Sequence, residues 1–245
     1  IFPDLSVGPD AALAGSGSVI HTNGNLGYAP VSLKATTDYY GLYAVDALDL
    51  TDALTVTAGA RINAADIGTA DRSGTAAELN GSHGYTHFNP LAGISWKITD
   101  TLTAFGNYSE ANRAPTPLEL DCADASKPCL LEGSLVADPP LKQVVAHTGE
   151  VGLRGVLAAA GGTLTWNASL FRTDSDNDIV ALASTIQGRG YFTNVAATRR
   201  QGIDLAGRFS AGNWSTYVSY SFLDATYQFT GALASPNNPT ADADG

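Results

Sequence analysis

Apolar and polar residues alternate with a period of two along much of this 245-residue chain. That pattern marks extended strands whose two faces meet different surroundings. Leu54, Val56, Ala58, Ala60 and Ile62 alternate with Thr55, Thr57, Gly59, Arg61 and Asn63. Ala92, Ile94, Trp96 and Ile98 face away from Gly93, Ser95 and Lys97, and Leu164, Trp166, Ala168 and Leu170 face away from Thr165, Asn167 and Ser169. Farther on, Ile203, Leu205 and Phe209 stand against Gly202, Asp204, Arg208 and Ser210. Trp214, Val218, Tyr220 and Phe222 then stand against Ser215, Tyr217, Ser219 and Ser221. The pattern predicts eight strands, near 39–49, 54–64, 85–98, 102–110, 143–154, 163–173, 191–210 and 214–229, with Ile179 to Ile186 as a candidate extra strand.

The connections sort into short and long in turn. Thr51–Ala53, Thr99–Thr101, Gly155–Gly162 and Ala211–Asn213 are short, whereas about Ala64–Gly84, Ala111–Lys142 and Asp174–Gly190 are long. A soluble sandwich has no reason to sort its loops this way. Outer-membrane barrels do, with short periplasmic turns, long outer loops and strands that are apolar outward and polar inward. The expected class is all-β: an antiparallel up-and-down transmembrane β-barrel, here a slice of about eight strands from a larger barrel. Residues 39–229 are expected to be barrel, and residues 1–38 and 230–245 outer-loop segments rich in Gly, Asn, Pro, Ala and Asp. With no Met and an opening Ile1-Phe2-Pro3, the chain reads as an internal fragment.

Composition narrows the class further. The 26 Gly residues and the 15% charged content suit many strands joined by turns, and no run approaches the 18 apolar residues of a membrane helix. Twenty-four acids against 13 bases give a net charge of -11, with no basic stripe for nucleic acid. Cys122 and Cys129 lie in a polar, Pro-containing stretch. A loop disulfide is the default there in an oxidising compartment, and half of a zinc site is the alternative. His21, His83, His87 and His147 are too scattered to complete such a site, so no metal or other cofactor is expected. No nucleophile elbow, zinc-protease helix or phosphate-cradling Gly loop occurs, which argues against an enzyme.

Tyr40 to Asp52 followed by Leu54 to Arg61, and Phe88 to Trp96 followed by Leu102 to Leu120, resemble hairpins of TonB-dependent outer-membrane receptors. The most specific stretch is Tyr108-Ser-Glu running into Arg113, Ala114, Pro115 and Thr116, with Glu119 and Leu120 close behind. Glu150 to Arg154, Leu170 to Asp174 and Arg199 to Asp204 follow in the family's order, so the resemblance covers about residues 38–229. It implies a barrel of about 22 strands in the outer membrane of a Gram-negative bacterium. It also implies an N-terminal plug domain in the lumen and energy from the TonB complex. Neither plug nor TonB box is found in these residues, so the resemblance implies a part of the machine.

On this reading Arg61, Glu150, Arg154, Asp204 and Arg208, all on polar faces, point into the lumen. There water, the plug, each other or a passing ligand can satisfy them. Trp96, Trp166 and Trp214 on apolar faces, with Tyr39, Tyr40, Tyr43, Tyr108, Tyr220 and Tyr227 near strand ends, fit an interfacial girdle. Asp174, Asp176 and Asp178 have the spacing of a calcium loop, but Ile179 and Thr185 stand where that loop needs Gly and Glu. The expected function is active uptake of a scarce nutrient, a ferric siderophore before others. The expected partners are outer-membrane lipid, the plug, the TonB complex and the small ligand. A passive porin-like or structural barrel is the alternative, and a soluble adhesin a third.

Overall fold

The computed structural model describes residues 32–129, 140–184 and 189–230. Eight strands form one antiparallel sheet: β1 (Leu33–Thr51), β2 (Leu54–Asp71), β3 (Gly81–Thr99), β4 (Leu102–Arg113), β5 (Val144–Ala159), β6 (Gly162–Asp176), β9 (Ala197–Ala211) and β10 (Trp214–Tyr227). Each pairs with its neighbour in that order, so the sheet is an up-and-down meander that is not closed into a ring. The short strands β7 (Ile179–Ala183) and β8 (Gly190–Asn194) form a separate hairpin, and a helical turn α1 (Pro117–Leu120) follows β4.

The register carries the sequence alternation across all eight strands. One row runs Leu48, Val56, Ile94, Gly106, Val151, Leu170, Ile203 and Phe222. A residue away along each strand, on the opposite face, stands Asp49, Thr55, Ser95, Phe105, Gly152, Ser169, Asp204 and Ser221. The side-chain period of two therefore gives the whole sheet one apolar and one mainly polar face. β1 follows the rule least: Tyr43, Val45 and Ala47 share the polar face, and Asp46 lies beside Ala58 on the apolar one.

Large apolar residues on the apolar face stay exposed, among them Leu48, Ile94, Val151, Leu170, Val218 and Phe222. The buried hydrophobic cluster lies elsewhere. It joins Ala65 and Ile67, toward the long-loop end of β2, to Ala114, Leu120, Leu141, Val144 and Ile179, with Tyr85 and Phe192 packed against it. The described parts of the long connections thus fold into a cap over one end of the sheet, on the face that carries Arg61.

The strand ends correct several expectations. Residues 33–38, expected in an outer-loop segment, continue β1 by pairing with 66–71, because a backbone ladder does not require an apolar side-chain pattern. For the same reason β2 and β3 lengthen until the connection between them is only residues 72–80. The single strand expected over 191–210 is two: the ladder of β9 begins at Ala197, and residues 190–194 pair instead with β7, inside the Ile179 to Ile186 candidate. The Gly155 to Gly162 connection shrinks to Ala160 and Gly161, both at positive φ (48° and 72°), the backbone of a tight two-residue hairpin turn. Tyr39, Tyr40, Tyr43, Tyr108 and Tyr220 stand inside their strands rather than near the ends, whereas Tyr227 closes β10.

Candidate functional site

The ionic residues of the polar face are placed by register. Arg154 sits opposite Asn167 and Thr103, Arg208 opposite Thr165 and Tyr217, Asp204 opposite Ser169 and Ser221, Glu150 opposite Asn107 and Phe171, and Arg61 opposite Asn89 and Tyr43. Among the described residues no ion pair joins any two of these five; each contacts neutral neighbours instead. Asn107 donates to Glu150 Oε2 at 3.0 Å, and the Ser221 hydroxyl donates to Asp204. Arg154 donates to Ser95 Oγ at 3.2 Å and lies over the Phe105 ring, 5.9 Å from its centroid. Arg208 lies 5.4 Å from the centroid of Tyr217, and Arg61 donates to Asn63 while lying across Gly41. A Cβ on Gly152 would meet the Phe105 ring at 2.5 Å, so that glycine lets the ring lie flat against the wall beneath Arg154.

The stretch Arg113 to Leu120 forms a knuckle that turns the chain from β4 into the cap. Thr116 caps α1, its hydroxyl accepting from the Glu119 amide at 3.3 Å while Glu119 Oε2 accepts from the Thr116 amide at 2.7 Å, and Pro117 starts the helical turn. Arg113 reaches the same Glu119 carboxylate with two nitrogens, at 2.7 and 3.1 Å. Ala114, Pro115 and Leu120 are buried beneath it. The residue types therefore divide between an ionic clamp and an apolar anchor.

Beyond the knuckle, Cys122 and Cys129 are joined, with Cα atoms 5.8 Å apart. Their backbones extend the β7–β8 hairpin: Cys129 exchanges hydrogen bonds with Gly190, and the Phe192 amide donates to the Cys122 carbonyl. Tyr85 Oη donates to the Leu141 carbonyl, and Lys127 approaches Glu78 at 3.7 Å, so strands and cap are tied by polar contacts as well. The Ser126 hydroxyl holds the Asp124 carboxyl below its ordinary value, helped by the nearby Lys127 charge.

Asp174, Asp176 and Asp178 diverge instead of converging on one ion. Asp174 pairs with Arg199 and Arg172, Asp176 approaches His147 at 3.4 Å, and Asp178 accepts from the Thr198 hydroxyl. Two clusters went unforeseen. Above Leu91 and Ser109 the β3–β4 ladder ends although both strands continue, and Asn112 fills the gap with side-chain bonds to Asn63, Asn89 and Gln143. Nearby, Glu110 receives the Tyr108 hydroxyl and stands 3.4 Å from His147. These partners are up to 49 residues apart in sequence, and no local spacing announces them.

The family model described as TonB dependent receptor-like, beta-barrel, matches residues 10–243. The chain belongs to the TonB-dependent receptor family. Among solved structures, the alcaligin outer-membrane receptor FauA from Bordetella pertussis is 21% identical, with a TM-score of 0.56 over 79% of this chain and 31% of its own. The hemophore receptor HasR of Serratia marcescens, solved with its hemophore HasA and heme, is 16% identical, with a TM-score of 0.61 over 77% of this chain and 34% of its own. The copper transporter OprC is 18% identical, with a TM-score of 0.60 over 78% of this chain and 28% of its own. This TonB-dependent receptor chain therefore spans about a third or less of each of these relatives. Membership places it in the outer membrane of a Gram-negative bacterium, and the open eight-stranded sheet is a sector of a barrel wall.

Proposed function

We propose that this chain forms a sector of the wall of an energy-coupled outer-membrane transporter that takes up a scarce nutrient, a ferric siderophore before others. The observation that carries the reading is the family match over residues 10–243, on a sheet with one apolar and one polar face. In this reading the apolar rows meet lipid, and Arg61, Glu150, Arg154, Asp204 and Arg208 face the lumen, where an N-terminal plug and the TonB complex complete the machine. Trp96, Trp166 and Trp214 stand near the short-turn ends of β3, β6 and β10, where a periplasmic interfacial belt belongs. The siderophore reading draws on relatives whose names specify alcaligin and a siderophore receptor. Heme and copper relatives mark the neighbouring substrate classes.

The test is growth and labelled-siderophore uptake under iron limitation, in cells carrying the intact parent protein with and without TonB. Uptake that requires both is the expected result. Steady conductance by the purified parent in a planar bilayer, with no dependence on TonB in cells, would favour a passive barrel instead.

A further inference from the structure

On the apolar face of the sheet, the apolar rows give way to polar residues along one register row. That row runs Tyr108, Gly149, Arg172, Gln201 and Asp224 across β4, β5, β6, β9 and β10. At this border lies a groove of about 610 Å³, floored by Gly106 and Gly149 and walled by Ile94, Val151 and Leu170. Tyr108 and Arg172 stand at its long-connection end. A second groove of about 430 Å³ shares Val151 and Leu170 with the first and continues to Ala104 and Ala168, one row nearer the short turns. From Arg172 to Ala168 the apolar track runs about 13 Å at the usual rise per residue.

Neither glycine of the floor is required by the backbone or by crowding. Both lack the left-handed φ of Gly74, Gly161 and Gly212. A Cβ on Gly149 would meet nothing within 4 Å and one on Gly106 only ordinary contacts from 3.6 Å, whereas a Cβ on Gly152 or Gly202 would collide with its neighbours. Their effect is to leave the groove open. The rim also holds more cation than acid. Arg172 and Arg199 each give Nε to the same carboxylate, Asp174, at 2.8 and 2.6 Å, and among the described residues neither has another acid within 4.0 Å. The other acids of this band are engaged: Glu110 accepts from Tyr108 and Asp224 from Gln201, and Glu110 and Asp176 each stand 3.4 Å from His147. The N–H donors left on the two guanidiniums keep the planar fork that fits phosphate oxygens.

We infer that the groove seats one acyl chain of a phosphorylated glycolipid of the outer leaflet, with its phosphate on Arg172 beside Arg199. This rests on the reading in which the apolar rows meet lipid and the long connections face outward. The apolar lining suits a hydrocarbon chain, and the surplus cation stands where the apolar rows end. A zwitterionic phospholipid would bring its own ammonium to that rim, so a headgroup charged by phosphate alone is the better complement.

Native mass spectrometry of the intact parent receptor, refolded in lipid-free detergent and titrated with lipid A, reads the site. Dephosphorylated lipid A and phosphatidylethanolamine should bind about tenfold more weakly than lipid A, the loss expected of one charge-assisted hydrogen bond. Gly149→Leu, which fills open space, and Arg172→Gln, which leaves Asp174 paired with Arg199, should each weaken lipid A binding to a similar extent. Heat-modifiable gel mobility shows which variants have folded, and Gly106→Ala serves if Gly149→Leu has not. Undiminished lipid A binding in the folded glycine variant would overturn the groove. Equal affinity for lipid A and its dephosphorylated form would overturn the phosphate site at Arg172. Val56→Arg tolerated as well as Thr57→Arg would overturn the lipid-facing reading itself, and the groove with it.

Discussion

At the residue scale, the two faces of β2 make opposite demands on the same substitution. Val56 lies between Leu48 and Ile94 in the apolar row, and Thr57 between Ala47 and Gly93 on the polar face, with room beside a residue that has no side chain. In the intact receptor, Val56→Arg should impair barrel assembly by about 2 to 4 kcal/mol if that row meets the middle of the bilayer, while Thr57→Arg should be mild. Gel mobility after refolding into vesicles reads both, and equal tolerance would reverse the assignment of faces. Asp71, at the outer end of β2, predicts a pH effect. The Ser73 hydroxyl and the amides of Ala76 and Ser73 hold its carboxyl below the ordinary value of 3.8. A carboxyl depressed in the folded state stabilises the turn fully above that ordinary value and loses the effect as pH falls through the folded value. The Ser73 and Ala76 amide chemical shifts should therefore move only below about pH 4, and Asp71→Asn should remove the transition.

At the scale of elements, the knuckle and the cap behave as one unit because the same chain segment supplies both. Thr116→Ala removes the cap of α1 and should cost about 1 kcal/mol locally. The cost should appear as faster hydrogen exchange at the Leu120 and Asp121 amides, which bond to the Thr116 and Pro117 carbonyls, with no change in the sheet. The Cys122–Cys129 bridge closes a loop of sequence separation 7. By loop entropy it stabilises the cap by about 2 to 3 kcal/mol. Mass spectrometry of protein prepared without reductant should find neither thiol open to alkylation. Reduction should loosen the β7–β8 hairpin, bonded through both cysteine backbones, and spare the eight-stranded ladder. β8 shows how an element escapes sequence reading. Residues 191–210 are expected as one strand, but only those from Ala197 join the eight-stranded sheet, and the Val195 amide bonds to the Asp178 carbonyl instead.

At the scale of the molecule, the open sheet formed by the described residues, with exposed apolar and polar faces, ends on β1 and β10, which have no further strand beside them among those residues. Unpaired edge strands template further pairing, and in a barrel the rest of the wall supplies it. The proposed energy coupling would be tested at this scale, through uptake by the intact parent protein with and without TonB.

Alternation along the strands, the contrast of short and long connections and the Arg113 to Leu120 stretch were enough, in sequence alone, to define the eight strands of the main sheet, their up-and-down order and the family. These are local signals: a strand with two environments needs a period of two wherever it lies, and a tight hairpin leaves only neighbours to pair. Tertiary structure alone decided how far the ladders run beyond the apolar rows, because backbone pairing does not depend on side-chain alternation. It also decided that Asn63, Asn89, Asn112 and Gln143 meet across the β3–β4 gap, and that Gly106, Gly149 and Arg172 occupy adjacent rows on one face. Those groupings depend on register between strands far apart in sequence, where a shift of one residue would send each side chain to the opposite face.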